Sequence, residues 1–265
     1  MGRVSAPLIQ SAPRVLILAG HDPSAGAGLH ADLEACDAAG ARAVLVPTAW
    51  TEQDGSRVWA LRSRGAGWVL GEALAASLEP IDALKTGLLA DVAAIEIVTE
   101  LIQRLGSSAR GAPRVVVDPV LAASGGEPFL DAQGMRALLE RLVPLGPVLT
   151  PNLDELARLT GVDRRALDEG LDERVDAARR LLALGASAIV VKGGHGTESP
   201  ITDLLVEPQG LHAIQGGARY PGRRMHGSGC RHASFLAARW ALHSSLERAA
   251  REAQAWMGRQ FGAGG

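Results

Sequence analysis

The chain contains few of the residues on which several protein classes depend. Two cysteines, Cys36 and Cys230, among 265 residues cannot build a disulfide scaffold, so a reducing, cytoplasmic setting is expected. Aromatic residues make up only 3% and the net charge is −2, which argues against a nucleic-acid-binding surface. No apolar run reaches the roughly 18 residues of a membrane span. The motif G-x-x-x-x-G-K-[ST] is also missing, which excludes a P-loop nucleotidase.

Short apolar runs alternate with longer helical patterns along the chain, and this alternation indicates the fold class. The runs are apolar on both sides, which is typical of strands in a mostly parallel sheet with helices on both faces. Two later runs, ITDLLVE and LHAIQGG, predict an antiparallel hairpin. We expect one domain over residues 13–265, preceded by a flexible tail of residues 1–12. The remaining expected strands cover residues 14–20, 42–50, 82–87, 114–120, 147–152 and 187–194.

Polar residues follow most of the expected strands at the point where the apolar run ends. In open parallel sheets, ligands bind beyond the carboxyl ends of the strands. We therefore expect the residues at these ends to form one site. The segments that carry them are GHDPSAGAG, TEQDG, KTG, DPV, TPN and KGGH.

The segment MHGSGCRHASF, residues 225–235, is a glycine-rich turn that leads into an expected helix. Gly227 and Gly229 allow several backbone N–H groups to point at one anion, and the helix dipole favours negative charge there. The same position favours the thiolate of Cys230. The alternative is a glycine-rich loop before a core helix, with a passive thiol.

The segment GAGLHA, residues 26–31, admits three interpretations. It matches the dinucleotide fingerprint, but HDPSA separates its first glycine from the strand, so the match is weak. Its glycines can instead bring the backbone close to a small ligand, with Asp32 presented one turn into the helix. The third interpretation is a glycine-rich loop without a ligand.

Four polar residues at later strand ends are candidates for phosphate and metal binding. Asn152 and Glu155 lie three residues apart in TPNLDEL, where they can hold a hydrated Mg²⁺ or form a helix capping box. Asp118 ends a very apolar strand, so its carboxylate is expected to point into the cleft. Lys192 ends another such strand, where it is either a point charge for phosphate or a solvated residue.

Together, six segments resemble the hydroxymethylpyrimidine/phosphomethylpyrimidine kinases, over nearly the whole chain. The resemblance implies a ribokinase-like three-layer sandwich with a mostly parallel central sheet. It also implies ATP-dependent phosphorylation of 4-amino-5-hydroxymethyl-2-methylpyrimidine, and then of its monophosphate, in thiamine biosynthesis. The segments are AGHDPSAGAGLHADLEA, KTGLLAD, VVVDPVLAASGG, LTPNLDEL, VVKGGH and HGSGC.

The resemblance implies roles for the residues at the substrate end of the site. Cys230 matches a cysteine that accepts the proton of the substrate or contacts its hydroxymethyl group. Gly227 and Gly229 match an anion hole that stabilises charge on the transferring phosphoryl group. The positions that line the pyrimidine pocket correspond here to Gly20, Asp32, Gln53 and Val120.

The resemblance also implies the nucleotide end of the site and the partners. Lys192 and Asn152 match nucleotide contacts, whereas Glu155 and Asp118 match the surroundings of Mg²⁺. The implied ligands are therefore a small pyrimidine, ATP and Mg²⁺, and a homodimer is expected. No nucleic acid or membrane is expected as a partner.

Several residues depart from the family pattern. Ala25 replaces a glycine that is usual in the first loop, and residues 50–52 add Glu52 near the expected pyrimidine. Met225, Arg231 and His232 stand where small or hydroxylic residues are usual. Two alternatives therefore stay open: a related vitamin kinase that acts on pyridoxal, and a catalytically weakened, pyrimidine-binding regulatory protein.

Overall fold

The computed structural model describes residues 12–53, 58–107, 111–123, 126–220, 222–243 and 245–263. The predicted tail of residues 1–12 therefore lies almost entirely outside the described residues. Within the described ranges, no helix is both long enough and apolar enough to cross a membrane.

The described strands form one continuous sheet. They are β1 (Arg14–His21), β2 (Arg42–Gln53), β3 (Val58–Ser63), β4 (Ala83–Thr86), β5 (Arg114–Val117), β6 (Val148–Leu149), β7 (Ala188–Val191), β8 (Thr202–Glu207) and β9 (Gly210–Gln215). Their order across the sheet is β3-β2-β1-β4-β5-β6-β7-β8-β9. The pairs from β2 through β7 are parallel, whereas β3, β8 and β9 pair antiparallel with their neighbours. The predicted parallel sheet and hairpin are confirmed.

Helices cover both faces of the sheet and make it the middle of three layers. They are α1 (Gly28–Ala39), α2 (Ala66–Ala76), α3 (Val92–Gly106), α4 (Ala132–Ala137), α5 (Leu153–Thr160), α6 (Arg164–Glu169), α7 (Leu171–Ala183), α8 (Ser228–Leu242) and α9 (Leu246–Ala263). The apolar faces of α1, α8 and α9 share one buried cluster with residues such as Ile17 and Val116. The helices α2 to α7 bury their apolar faces in a second cluster, on the side of Leu16 and Leu84. We infer from the single sheet that residues 13–263 form one domain.

Two segments differ from the prediction. The sequence does not predict β3, which pairs with the end of β2 at the edge of the sheet. The charged run of residues 163–180, a pattern that by itself indicates a solvated helix face, is divided at Gly170 into α6 and α7. Within this run Arg174 is only 2% exposed, and its buried guanidinium is neutralised by an ion pair with Glu198 at 2.7 Å.

The direction in which the chain crosses the sheet reverses at β1. The strand β2 lies on one side of β1, and β4 lies on the other. In doubly wound sheets such a reversal leaves a crevice beyond the carboxyl ends of the strands. The topology therefore puts the crevice next to Gly20, near the end of β1.

Candidate active site

Gly20, Gly28 and Cys230 meet at this crevice. Gly28 begins α1 with a φ of +56°, and a Cβ at this position would lie 2.2 Å from the carbonyl oxygen of Gly20. Only glycine fits there. The backbone N–H of Gly28 donates a hydrogen bond to the sulfur of Cys230. The end of β1, the start of α1 and the start of α8 thus surround one point.

Asp32 and Lys85 form a buried ion pair beside Cys230. Asp32 Oδ1 lies 2.6 Å from Lys85 Nζ and also accepts a hydrogen bond from Ser234 Oγ at 2.7 Å. Burial opposes the charge on Lys85, but the carboxylates of Asp32 and Asp118, the sulfur of Cys230 and the hydrogen bond to Asp32 together raise the pKa of Lys85. Among the described residues, none pairs with Asp32 Oδ2. Asp32 therefore lies in the protein interior rather than on the open surface of the cleft, with one acceptor oxygen left over.

The structure corrects the predicted ionisation of Cys230. The sequence predicts a favoured thiolate at the start of α8. Burial instead raises the pKa of the Cys230 thiol to about 11; Lys85 opposes this shift, and the carboxylates of Asp32 and Asp118 add to it. Because desolvation and two nearby carboxylates outweigh the helix dipole, the side chain is a thiol at neutral pH.

Lys192 and Asp118 form a second buried ion pair, next to Gly229 in the first turn of α8. Lys192 Nζ lies 2.7 Å from Asp118 Oδ1, which also accepts a hydrogen bond from Thr150 Oγ1 at 3.1 Å. A Cβ on Gly229 would lie 3.2 Å from Lys192 Nζ, so the ammonium group lies against the helix backbone. Lys192 is 8% exposed, and the interpretation as a solvated lysine is therefore wrong.

Asn152 and Glu155 form a capping box at the start of α5. Asn152 Oδ1 accepts from the backbone N–H groups of Asp154 and Glu155, and Glu155 Oε2 accepts from the N–H of Asn152 at 2.8 Å. The same Oε2 lies 3.9 Å from Lys192 Nζ. Burial raises the pKa of Glu155 to about 7 against the pull of Lys192. The capping interpretation is confirmed, and the contact with Mg²⁺ stays a prediction.

The turn before α8 is held against the first loop by close packing. Gly227 has a φ of +73°, and a Cβ there would lie 2.4 Å from the carbonyl oxygen of Gly26. His226 Nε2 lies 2.9 Å from Asp22 Oδ2. Asp22 in turn accepts from the backbone N–H groups of Ser24 and Ala27, which organise the loop. The close packing of the turn against Gly26 therefore requires glycine at position 227, which is also a candidate anion-hole residue.

Arg231, one of the departures from the family pattern, strengthens the same contact. Its guanidinium donates to the carbonyl oxygens of Gly26 and His226 at 2.7 and 3.0 Å. It also pairs with Glu34 on α1 at 2.7 Å. The guanidinium of Arg231 is therefore bound to the first loop, to the turn before α8 and to α1.

His232, the next residue, links α8 to the strand end that carries Lys192. His232 Nε2 lies 3.1 Å from Asp203 Oδ2, and both side chains are buried. Asp203 Oδ1 accepts the backbone N–H of Gly193 at 2.8 Å. Gly193 directly follows Lys192, so this chain of bonds fixes the nucleotide end of the predicted site relative to α8.

Gln53 ends β2, Val120 follows β5, and both residues are partly exposed. The strands β1 and β4 lie between β2 and β5 in the sheet. Gln53 Nε2 donates to Thr51 Oγ1 at 2.9 Å, and Thr51 Oγ1 donates to the carbonyl oxygen of His21 at 3.0 Å. The N–H of Val120 donates to the carbonyl oxygen of Asp118 at 2.9 Å. Gln53 is thus tied to the end of β1, and Val120 lies next to the second ion pair.

Sequence reasoning missed three residues that organise this region: Lys85, Ser234 and Thr51. Lys85 carried a usable signal, since it is one of only two lysines in the chain and lies in the polar strand end KTG. Ser234 and Thr51 carried none, because single hydroxyl groups are common on helices and strands.

The family model described as phosphomethylpyrimidine kinase matches residues 22–263. The hydroxymethylpyrimidine/phosphomethylpyrimidine kinase of Salmonella typhimurium is 33% identical over 248 residues, which cover 91% of this chain and 88% of the relative.

Two solved structures share the fold. The phosphomethylpyrimidine kinase from Clostridium difficile 630 has a TM-score of 0.77 at 25% identity, covering 94% of this chain and 99% of that chain. The pyridoxal kinase from Staphylococcus aureus in complex with ADP has a TM-score of 0.81 at 27% identity, with coverages of 93% and 86%. The predicted ribokinase-like fold and kinase class are confirmed. The chain belongs to the phosphomethylpyrimidine kinase family.

Proposed function

We propose that this protein transfers the γ-phosphoryl group of ATP to the hydroxymethyl oxygen of 4-amino-5-hydroxymethyl-2-methylpyrimidine, and then to the monophosphate so formed, as a step of thiamine biosynthesis. Family membership supports the reaction class. The observation that carries the proposal is the position of Cys230 in the first turn of α8, beside the Asp32–Lys85 pair. The proposed acceptor hydroxyl and the proposed phosphate site would meet at that point.

The pyrimidine end of the site is built around Gly20, Asp32, Gln53 and Val120. Asp32 Oδ2 has no partner among the described residues, and it could accept a hydrogen bond from an amine of the ligand only if the side chains that bury it moved. The amide of Gln53 can pair with a ring edge, and Val120 offers apolar contact to a flat heterocycle. Gly20 would line this end through its backbone, since a Cβ at this position would lie 2.8 Å from Leu88 Cδ2.

The backbone N–H groups of the first turn of α8, beginning at Gly227 and Gly229, would hold the γ-phosphate, because a helix start attracts anions. In the transfer the hydroxymethyl oxygen bonds to the γ-phosphorus while the bond from phosphorus to ADP breaks. The hydroxyl proton leaves to solvent. Cys230, a thiol at neutral pH, contacts the hydroxymethyl oxygen as a positioning group rather than as the proton acceptor. Phosphoryl transfer relies more on such positioning than on a base.

The nucleotide end of the site is built around Lys192 and Asn152. The ammonium of Lys192 lies against Gly229, where it can neutralise a transferring phosphate. Among the described residues, no cluster of three acidic, histidine or cysteine side chains could hold a metal ion. Asp118 and Glu155 would therefore hold a Mg²⁺ only if phosphate and water supplied most of its ligands, and the ion would then neutralise phosphate charge.

Pyridoxal is the second candidate substrate, because the pyridoxal kinase from Staphylococcus aureus shares the fold with a TM-score of 0.81. The third candidate, a weakened regulatory protein, rested on Met225, Arg231 and His232. Arg231 and His232 bond to Glu34 and Asp203, which supports an intact anion site and favours an active enzyme.

A coupled assay for ADP release tests the proposal with three substrates in parallel: the free aminopyrimidine alcohol, its monophosphate and pyridoxal. We expect ADP release with the first two and mass-spectrometric detection of the mono- and diphosphate products. Release with pyridoxal alone would replace this function by the second candidate. Calorimetric binding of the aminopyrimidine without any turnover would favour the third.

The cellular setting and the oligomeric state stay predictions. Both cysteines are free thiols, which agrees with a reducing cytoplasmic compartment. We propose a homodimer, and sedimentation equilibrium over a range of concentrations measures it directly.

A further inference from the structure

The hydroxyl group of Thr51 makes two hydrogen bonds that together orient a neighbouring side chain. It lies 3.0 Å from the carbonyl oxygen of His21 and 2.9 Å from Gln53 Nε2. Thr51 is 5% exposed, so solvent offers it few alternative partners. His21 follows Gly20 at the end of β1, which keeps this group next to the proposed pyrimidine site.

The chemistry of a hydroxyl group settles the direction of both bonds. A hydroxyl carries one hydrogen, and a backbone carbonyl oxygen can only accept, so the hydrogen of Thr51 goes to His21. The Thr51 oxygen can then only accept from Gln53. The atom of Gln53 that faces Thr51 must therefore be the amide nitrogen. Gln53 is left with its carbonyl oxygen Oε1 and one N–H in a fixed order.

We propose that Thr51 is a specificity-determining positioning residue, which fixes the amide of Gln53 to match a 4-aminopyrimidine edge. On that edge the exocyclic amine donates and the adjacent ring nitrogen accepts. In the corresponding 4-pyrimidinone the exocyclic oxygen accepts and the ring N–H donates, which is the inverted pattern. This inference rests on the proposed function, because it assumes that the pyrimidine ring lies against Gln53.

Without the Thr51 hydroxyl, the Gln53 amide can turn by half a rotation about its terminal bond, which is a soft torsion. It would then present N–H where Oε1 stood and accommodate either ring edge. Glu52 offers no such control, since its carboxylate pairs with Arg62 at 2.9 Å and both side chains are largely exposed. Loss of the Thr51 hydroxyl should therefore relax discrimination between the two ring edges rather than abolish binding.

The test compares Thr51→Val, which keeps the shape and removes the hydroxyl, with Thr51→Ser, which keeps the hydroxyl. Calorimetry measures the Kd of 4-amino-5-hydroxymethyl-2-methylpyrimidine and of its 4-oxo counterpart. We expect the wild type to prefer the amine by about tenfold or more, since a mismatched edge leaves buried polar groups unpaired. Thr51→Val should lose most of that preference, whereas Thr51→Ser and the neighbouring control Glu52→Gln should keep it.

The outcomes separate this inference from the proposed function. If the wild type prefers the amine and Thr51→Val keeps the same ratio of Kd values, the inference is overturned and the kinase assignment stands. Equal weakening of both ligands would show a merely structural role for Thr51. A wild type that binds neither compound overturns the proposed function itself. Should Thr51→Val fail to fold, Thr51→Ala removes the same hydroxyl and must lose the same preference.

Discussion

Lys192 Nζ lies 2.7 Å from Asp118 Oδ1 and directly against the backbone at Gly229. These residues come from the ends of two separate strands and from the first turn of α8. Burial opposes charge on both partners of the pair, but each partner stabilises the charge of the other. The carboxylate of Asp118 raises the pKa of Lys192, and Lys192 lowers the pKa of Asp118. The protein thus holds a fixed positive charge at the proposed phosphate site.

Replacement of Lys192 by methionine should destabilise the fold. The carboxylate of Asp118 would stay buried without its partner, and the expected loss in the free energy of unfolding is about 3 kcal/mol. Urea denaturation followed by circular dichroism measures it. The double variant Asp118→Asn, Lys192→Met removes both charges and should recover most of the loss. Equal stability of Lys192→Met and the wild type would contradict a mutually stabilised pair.

Cys230 should react slowly with iodoacetamide at neutral pH, because the thiolate is the reactive form and burial raises the pKa of this thiol to about 11. In a Cys36→Ala background, mass spectrometry follows modification of Cys230 alone. The rate should climb through the alkaline range without a plateau near neutral pH. A modification rate that levels off below about pH 8 would contradict the raised pKa and show that Cys230 is a thiolate, as a helix start favours.

The stability contributed by Glu155 should fall as the pH rises. The folded protein holds the Glu155 proton up to about pH 7, whereas the unfolded chain releases it near the ordinary value of 4.5. Between these values the folded state binds more protons, so rising pH favours unfolding. Glu155→Gln cannot titrate, and the difference in unfolding free energy between wild type and variant should shrink across this window. A constant difference from about pH 4 to about pH 8 would contradict the raised pKa.

Ala25→Gly should stabilise the protein. Ala25 has a φ of +59°, a left-handed conformation that costs a residue with a Cβ about 1 kcal/mol or more. After the greater freedom of glycine in the unfolded chain is subtracted, a net gain of about 0.5 kcal/mol is expected. The control Ala27→Gly, at an ordinary φ of −138°, should lower the melting temperature. If both variants lower it, the strain at Ala25 is absent.

The sequence predicted the three layers and the positions of β1, β2 and β4 to β7 along the chain, because most of these strands contain a short apolar run. It did not predict β3. β3, with the sequence VWALRS, is short and lies at the sheet edge, where pairing with β2 rather than burial determines its structure. The charged run around Arg174 indicates a solvated helix face, but Arg174 is buried. Its ion pair with Glu198, on a later loop, cannot be deduced from the amphipathic pattern of the run.

Within the site, local patterns identified which loops converge but not how their charges pair. Positions 28 and 227 require glycine, because both have a positive φ and lie in close contact with neighbouring backbone. The partners of Asp32, by contrast, come from β4 and α8, which lie far away in the chain. The raised pKa of Cys230 follows from this pairing and from burial, neither of which the motif HGSGC contains.

The central claim is that a flat aminopyrimidine and the phosphates of ATP occupy adjacent ends of one crevice, with Cys230 between them. A crystal structure of the protein with the aminopyrimidine alcohol and a non-hydrolysable ATP analogue measures this directly. We expect the ring beside Gln53 and Gly20, its hydroxymethyl oxygen at Cys230, and the terminal phosphate on the N–H groups that begin at Gly227. A ring bound elsewhere, or a phosphate remote from α8, would contradict the account.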